Sequence, residues 1–306
     1  MIILYSLHND TSTQEVIKWL DSFKKEYILI TDLFDISIHS KLINTSLIGK
    51  KVESIWYRQH NSKEFDLSLY SPTNALFISR EYESYLYHMQ YLFKSNNIKS
   101  LGNGFDKMNL NKSEVLFLAQ SIGLTIPETL VTTLKEELKN FFLLHDKIIT
   151  KPIFNGIVVD YDDESYGTMY TALVEEELIK QLPSVFFPSL FQEYINKDIE
   201  LRIFYLDGHF YSTAVFTQIK NNIIDSRNLE VVENCRSIPY NLPEEIEKKI
   251  ILLMKSLLLN TGSIDMIKSD SGQYYFLEVN PIGIFDGISL DCNYYLNKKV
   301  AEWLAK

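Results

Sequence analysis

Three polar residues stand where the pattern around them calls for a buried strand. Asp265 lies inside the apolar run SIDMI, and Glu278 and Asn280 interrupt FLEVN, whose Phe276, Leu277 and Val279 suit a sheet core. Side chains alternate faces along a strand, so Glu278 and Asn280 point the same way. A carboxylate left dry and unpaired costs several kcal/mol or more. If the two runs are hairpin neighbours across the turn SDSG, Asp265, Glu278 and Asn280 converge on one face. Two carboxylates and an amide oxygen are hard donors suited to Mg²⁺, which completes its shell with water and phosphate oxygens. The plainer alternative is a core carboxylate paired with an arginine.

Further groups could serve a phosphate-bearing ligand. Lys151 closes the apolar run IITK, where an ammonium can meet phosphate as a point charge; alone it reads as a solvated lysine. FQEYI, ending at Glu193, Tyr194 and Ile195, is a short strand before polar NKD and can offer backbone groups to an adenine edge. Glu200 and Arg202 lie two apart and therefore share a face, with a surface ion pair as the bland reading. Arg227 and Arg236 stand in the polar stretch DSRNLEVVENCRSIP. A guanidinium fits a carboxylate through two parallel hydrogen bonds. For Arg236 a structural ion pair is an equal alternative.

The elements that must position these groups follow from periodicity. IILYSL, YILITDLF and ESIWYRQ read as strands separated by helical patterns, which suggests a parallel α/β sheet. Ser12 and Glu15 of STQE form an expected capping box for the first helix. An amphipathic helix over 79–96 carries Tyr82, Tyr85, Leu86, Met89, Leu92 and Phe93 as its apolar stripe. The Gly- and Asn-rich stretch 96–109 marks a boundary. A helix then ends at Gly123, and KEELKNFFLLHD is another. KIITKPIF and IVVDYD read as a hairpin around Asn155-Gly156. PEEIEKKIILLMKSLLLNTG is a helix starting at Pro243, with Gly262 after its end. LDGH and SDSGQ mark two hairpin turns.

Composition narrows the class. The chain has 306 residues, 46% of them hydrophobic, and a formal net charge of -10, which speaks against a nucleic-acid protein. Two cysteines do not make a disulfide framework or a structural zinc site; burial as small apolar residues is expected for both. No apolar run approaches the ~20 residues of a membrane span, and the start lacks a charged leader. A reduced, cytoplasmic, soluble protein is the expectation.

Order and spacing say more than any one piece. Lys151 of TKP, QEYI, ELR, Asp265 of SIDMI and FLEVNPIG together resemble the ATP-grasp superfamily, over the chain from about residue 107 to its end. The resemblance implies an α/β (α+β) ATP-grasp fold: an N-terminal pre-ATP-grasp α/β domain at 1–105, a central subdomain at 106–187 and a C-terminal antiparallel-sheet subdomain with the metal site at 188–306. It implies that Lys151 binds ATP phosphate, with Lys112 as a second phosphate lysine. Glu193, Tyr194 and Ile195 would hold adenine, chiefly through backbone. Glu200 would bind the ribose or the acceptor. Asp265, Glu278 and Asn280 would hold Mg²⁺. One departure stands out: where many such enzymes fold a glycine-rich loop over the phosphates, this chain has the acidic stretch FNGIVVDYDDESYGTMYT, so the details of that cover are open.

NDTSTQEVIKWL, SIWYRQ, IDSRN and CNYYLNKKVAEWL further resemble the grasp-with-spasm peptide maturases among the graspetide synthetases. That resemblance implies an enzyme that activates Asp or Glu side chains of a ribosomal precursor peptide as acyl phosphates. It then closes them onto Ser, Thr or Lys as esters or amides. Arg202 and Arg227 would act at the reacting phosphate and carboxylate, and Arg227 and Arg236 would bind substrate. A leader-and-core peptide partner and a homodimer are implied too. A ribosomal-protein or small-molecule glutamate or amino-acid ligase would share every ATP and metal residue. The non-enzymatic alternative is a nucleotide-binding regulatory module.

Overall fold

The computed structural model describes residues 1–31, 52–59, 69–95, 97–102, 104, 110–153, 158–160, 166–168, 171–217 and 235–306. Three sheets of four or five strands organise them.

The first sheet is parallel. Strands β1 (Ile2–Tyr5), β2 (Tyr27–Ile30), β3 (Ser54–Tyr57) and β4 (Lys99–Leu101) lie in the order β2-β1-β3-β4. β1 and β3 are buried throughout, because helices cover both faces of the sheet. On one face Ile2, Leu4 and Trp56 pack against helices α1 (Thr11–Ser22) and α8 (Leu296–Ala305). On the other, Ile3, Tyr5 and Ile55 meet Leu86 and Phe93 of helix α2 (Pro72–Ser95). The last helix thus returns to the first strands. α2 starts seven residues before the expected helix, with Pro72 at its first position. Tyr82 and Tyr85 pack beside its buried stripe as expected, while the side chains of Met89 and Leu92 lie outside the described residues.

The capping box at Ser12 and Glu15 does not form. Asp10 caps α1 instead, accepting from the Thr13 N–H at 2.7 Å, and Glu15 pairs with Lys18. A carboxylate beside the first turn outcompetes a hydroxyl for these amides. Ser12 is released for another use.

The second sheet is antiparallel: β5 (Thr129–Leu134), β6 (Ile148–Lys151), β9 (Ala172–Leu173) and β10 (Val185–Glu193), in the order β5-β10-β6-β9. Helices α4 (Lys135–Leu144) and α5 (Glu176–Gln181) close its core around Leu138, Ile148, Ile179 and Phe191. The expected boundary at 187/188 falls inside β10. The expected hairpin between 147–154 and 157–162 is corrected. Both edges of β6 are taken by β10 and β9, so β7 (Val158–Asp160) pairs with β8 (Tyr166–Thr168) as a separate ribbon. Asn155-Gly156 and the acidic residues Asp162, Asp163 and Glu164 lie outside the described residues.

The third sheet carries the chemistry-bearing residues. It runs β13-β12-β11-β14-β15, all antiparallel: β11 (Lys197–Leu206), β12 (His209–Thr217), β13 (Cys235–Tyr240), β14 (Thr261–Ser269) and β15 (Tyr274–Asn280). Asp207 and Gly208 take left-handed φ of 46° and 90° in the two-residue turn joining β11 to β12, as the twist of a hairpin demands. Helix α3 (Lys112–Ser121) ends at Gly123 as expected, and the Leu124 and Gly123 amides close back on Ala119 and Gln120. α3 and helix α6 (Glu244–Ser256) bury one face of the sheet through Leu201, Ile203, Ile264, Met266, Phe276 and Val279. Gly262 is not the end of α6. Leu258 holds that left-handed position at φ 57°, and Gly262 lies in β14, where a Cβ would sit 3.0 Å from the Asn280 carbonyl.

Strict alternation would place Phe276 on the side of Glu278 and Leu277 in the core. A bulge reverses both. Asp265 opposes Glu278, but Met266 opposes Phe276, so Leu277 is the extra residue. The Phe276 amide leaves the ladder and donates to the Thr125 carbonyl at 2.8 Å. Phe276 is fully buried, and Leu277 turns to the polar face. No helix among the described residues is long and apolar enough to cross a membrane. Phe276→Ala should therefore lower unfolding free energy by about 3–5 kcal/mol. Leu277→Ala should cost about 1 kcal/mol or less. Urea denaturation of both variants checks the pair.

Candidate active site

The strand register lines up the charged residues. Arg202 on β11 faces Thr213 on β12 and Asp265 on β14, and Asp265 faces Glu278 on β15. In the next row Phe204, Ser263 and Asn280 stand opposite one another. Residues directly opposed in an antiparallel sheet share a face. Arg202, Asp265, Glu278 and Asn280 therefore sit on one face, the one turned away from α3 and α6. Further along β11 that same face becomes core: Phe204 and Leu206 pack into the cluster of α1 and α8.

A cavity of about 480 Å³ opens over this face, roofed by the second sheet. It brings together ten of the twelve residues singled out from sequence: Lys112, Lys151, Glu193, Tyr194, Ile195, Glu200, Arg202, Asp265, Glu278 and Asn280. Arg236 is exposed on β13 and does not line it. Its alternation on the edge strand carries it outward. Arg227 lies outside the described residues.

Asp265 and Glu278 oppose each other as like charges, an arrangement that destabilises a sheet unless cations answer it. One answer comes from Lys112, at the start of α3, whose Nζ is 3.4 Å from Glu278 Oε2. Asn111, the cap of α3, fixes that helix start by accepting from the Ser113 and Glu114 amides. Arg202 stands next to Asp265 in the row. The Asn280 amide oxygen accepts the Ile282 N–H at 3.0 Å, which orients it and leaves a lone pair. Among the described residues no three His, Cys, Asp or Glu side chains cluster by themselves, so an amide must supply the third donor. Two carboxylates and an oriented amide oxygen fit a hard divalent cation such as Mg²⁺.

Glu200 is clasped from both sides, by Lys197 at 3.2 Å and Arg202 at 3.5 Å. Lys197 is a site residue that sequence reasoning missed. Three residues from Glu200, it would fall on the opposite face of a regular strand. A register shift between Lys197 and Ile199 turns it onto the site face. An adjacent polar pair ahead of ELR was the only trace of this in the sequence.

The segment Glu193–Ile195 joins β10 to β11 at the cavity wall. Its Glu193 and Tyr194 amides are already spent on the carbonyls of Glu128 and Lys147, at 3.0 Å each. Ile195 is the one amide of the three without a backbone partner among the described residues. A purine edge would therefore meet the Ile195 N–H and the segment's carbonyls. The Glu193 carboxylate braces the segment from behind: it accepts the Glu128 N–H at 3.1 Å and lies 3.7 Å from the His145 ring. Ile149, Ile195, Ile267 and Leu277 make that end of the cavity apolar, as a flat aromatic ring requires.

This layout has solved counterparts. Macrocyclase MdnC from Microcystis aeruginosa MRC, bound with precursor peptide MdnA, is 25% identical, with a TM-score of 0.75 over 100% of this chain and 99% of that chain. A RiPP-associated ATP-grasp ligase from Chryseobacterium gregarium, in complex with ADP and a leader and core peptide, is 24% identical, with a TM-score of 0.78 over 99% and 96%. ATP-grasp ligase PsnB, complexed with minimal precursor, Mg and ADP, gives 16%, 0.73, 99% and 96%. The chain has the ATP-grasp fold. No family model and no curated protein matches its sequence.

In the ATP-grasp arrangement the apolar end of the cavity suits the base and the cationic end suits the phosphates. Lys151, at the end of β6, projects from the roof and Lys112 from the side. Lys151→Ala should weaken ADP binding about tenfold or more, the scale of a lost hydrogen bond to a charged group. Isothermal titration of the nucleotide is the measurement.

Proposed function

We propose that this chain is a graspetide synthetase: an ATP-dependent ligase that closes Asp or Glu side chains of a ribosomal precursor peptide onto Ser, Thr or Lys side chains as macrocyclic esters or amides. The observation that carries the reading is the end-to-end match to a peptide macrocyclase, MdnC, with the N-terminal sheet and the returning last helix included. Neighbours of the same architecture hold ADP, Mg and precursor peptide.

The site supports a definite division of labour. Ile195 and the apolar wall receive adenine, and Glu200, steadied by Lys197, receives ribose or the acceptor. Lys151 and Lys112 bind phosphate oxygens. Asp265, Glu278 and Asn280 would hold Mg²⁺, which would supply charge neutralisation at the phosphates. A substrate carboxylate oxygen attacks the γ-phosphorus and ADP leaves, giving an acyl phosphate. Arg202, in line with Asp265, offsets charge that develops in this step. The hydroxyl or amine of the same peptide then attacks the acyl carbon; phosphate departs and the nucleophile's proton passes to solvent. Arg227 grips the substrate carboxylate and its acyl phosphate through a bidentate pair, and Arg236 contributes to peptide binding from the sheet edge. Holding both reacting side chains in one peptide is worth up to about 7–11 kcal/mol in ideal geometry. The protein is on this proposal a cytoplasmic homodimer that recognises both the leader and the core of its precursor peptide, with no nucleic acid and no membrane.

Coexpression with a candidate precursor, sought as a short Thr/Asp/Glu-rich reading frame beside the gene, tests this. Mass spectrometry should show loss of one water per closed ring, abolished by Glu278→Gln. A mass gain, with a free amino acid consumed, would instead make the protein an amino-acid ligase. Arg227→Ala should keep ADP binding and lose ring formation, and full ring closure in that variant would remove Arg227 from the site.

A further inference from the structure

Among the described residues the largest fully buried side chain is charged, and it lies outside the cavity. Arg58 follows β3, in the N-terminal sheet, and is 2% exposed. Its guanidinium spends its donors in two directions. Nη1 donates to the carbonyls of Ile282 and Gly283, at 2.6 and 2.9 Å. Nη2 reaches Ser12 Oγ at 3.1 Å and Asp10 Oδ2 at 3.4 Å, and Nε reaches Asp10 Oδ1 at 3.5 Å. The face of the Phe285 ring lies 5.5 Å away. Ser12, released from capping, donates to Asp286 Oδ2 at 2.6 Å.

The loop 281–285, which directly follows Asn280, is thus held at Ile282 and Gly283 by Arg58, and the residue after it, Asp286, is held by Ser12 of α1. Ile282 is the link. Its carbonyl is held by Arg58, and its N–H holds the Asn280 amide oxygen. Gly283 presses against Phe204 and Gly262, where a Cβ would come within 3.1 Å of the Phe204 ring, so the loop has little room to re-form elsewhere. A compact ammonium could not fork to two carbonyls and a carboxylate at once. The arrangement asks for arginine.

We propose that Arg58 is a positioning residue for the metal site: by gripping the Ile282 and Gly283 carbonyls it fixes the Asn280 amide oxygen beside Glu278. The N-terminal sheet then sets metal affinity without contributing a ligand. This rests on the metal reading of Asp265, Glu278 and Asn280 given above.

The test is a Mn²⁺ titration of the full chain with ADP present, read by electron paramagnetic resonance, with metal-free ADP affinity measured in parallel. Mn²⁺ reports on the same hard oxygen donors as Mg²⁺. Arg58→Lys should raise the Mn²⁺ dissociation constant about tenfold or more, the scale seen when an outer partner of a metal ligand is removed. Metal-free ADP affinity should stay unchanged, which a general loosening of the fold would not allow. Ser12→Ala removes the acceptor of Arg58 Nη2 and weakens the tie to Asp286, where Thr11 Oγ1 still donates at 3.1 Å, but leaves the Arg58–Asp10 pair; it should shift Mn²⁺ binding in the same direction by less, and it decides the matter if Arg58→Lys does not fold. Glu278→Gln separates the two claims. If it loses Mn²⁺ while Arg58→Lys and Ser12→Ala bind as the parent does, the role of Arg58 is overturned alone. If Glu278→Gln still binds Mn²⁺ normally, the metal reading falls, and the role of Arg58 with it.

Discussion

Asp265 and Glu278 face each other across adjacent strands, and this opposition of like charges is the constraint around which the molecule is arranged. A hairpin gains nothing from such a pair by itself. Its persistence requires positive charge from other elements, and the fold delivers it from several directions. α3 brings Lys112, β11 brings Arg202, and β6 of the second sheet brings Lys151 over the cavity. A cation that binds there relieves the remaining repulsion, so its binding energy is partly stored in the protein before it arrives. In the proposed arrangement phosphate would meet lysines on one side and metal on the other.

Two bulges make this face possible. One lets Phe276 and Val279 both enter the core while Glu278 and Asn280 stay outside; the other brings Lys197 to Glu200. Each adds a residue and so breaks the two-residue alternation that would otherwise scatter these side chains. Each also sits beside the cavity, and Leu277 becomes part of its wall as a direct result.

The N-terminal sheet contributes through a buried charge. Taking a guanidinium out of water is costly, and a buried pair is strongly destabilised if one partner is lost. Arg58 offsets that cost with Asp10, Ser12 and two loop carbonyls. The pairing couples three stretches distant in sequence, at residues 10–12, 58 and 282–286. It gives a physical reason for the first sheet and β11 of the third sheet to share a core with the last helix.

Much of the fold was legible because it obeys local rules. Apolar runs gave β1 and β3, the Asp207-Gly208 turn gave the β11–β12 hairpin, and Gly123 ended α3 where left-handed backbone was needed. The types and order of Asp265, Glu278, Asn280, Lys151, Glu200 and Arg202 were enough to suggest phosphate and metal chemistry, since few other uses justify such groups in apolar strands. Competition between distant partners was not legible. Asp10 took the cap from Ser12, β10 and β9 took both edges of β6, and Leu258 took a left-handed position assigned to glycine. The sequence by itself determined which residues could do chemistry, because residue type and near-neighbour spacing carry that information. The tertiary structure alone decided which of them meet, because register, bulges and the burial of Arg58 depend on contacts between separate segments of the chain, 225 residues apart in the case of Arg58 and Gly283.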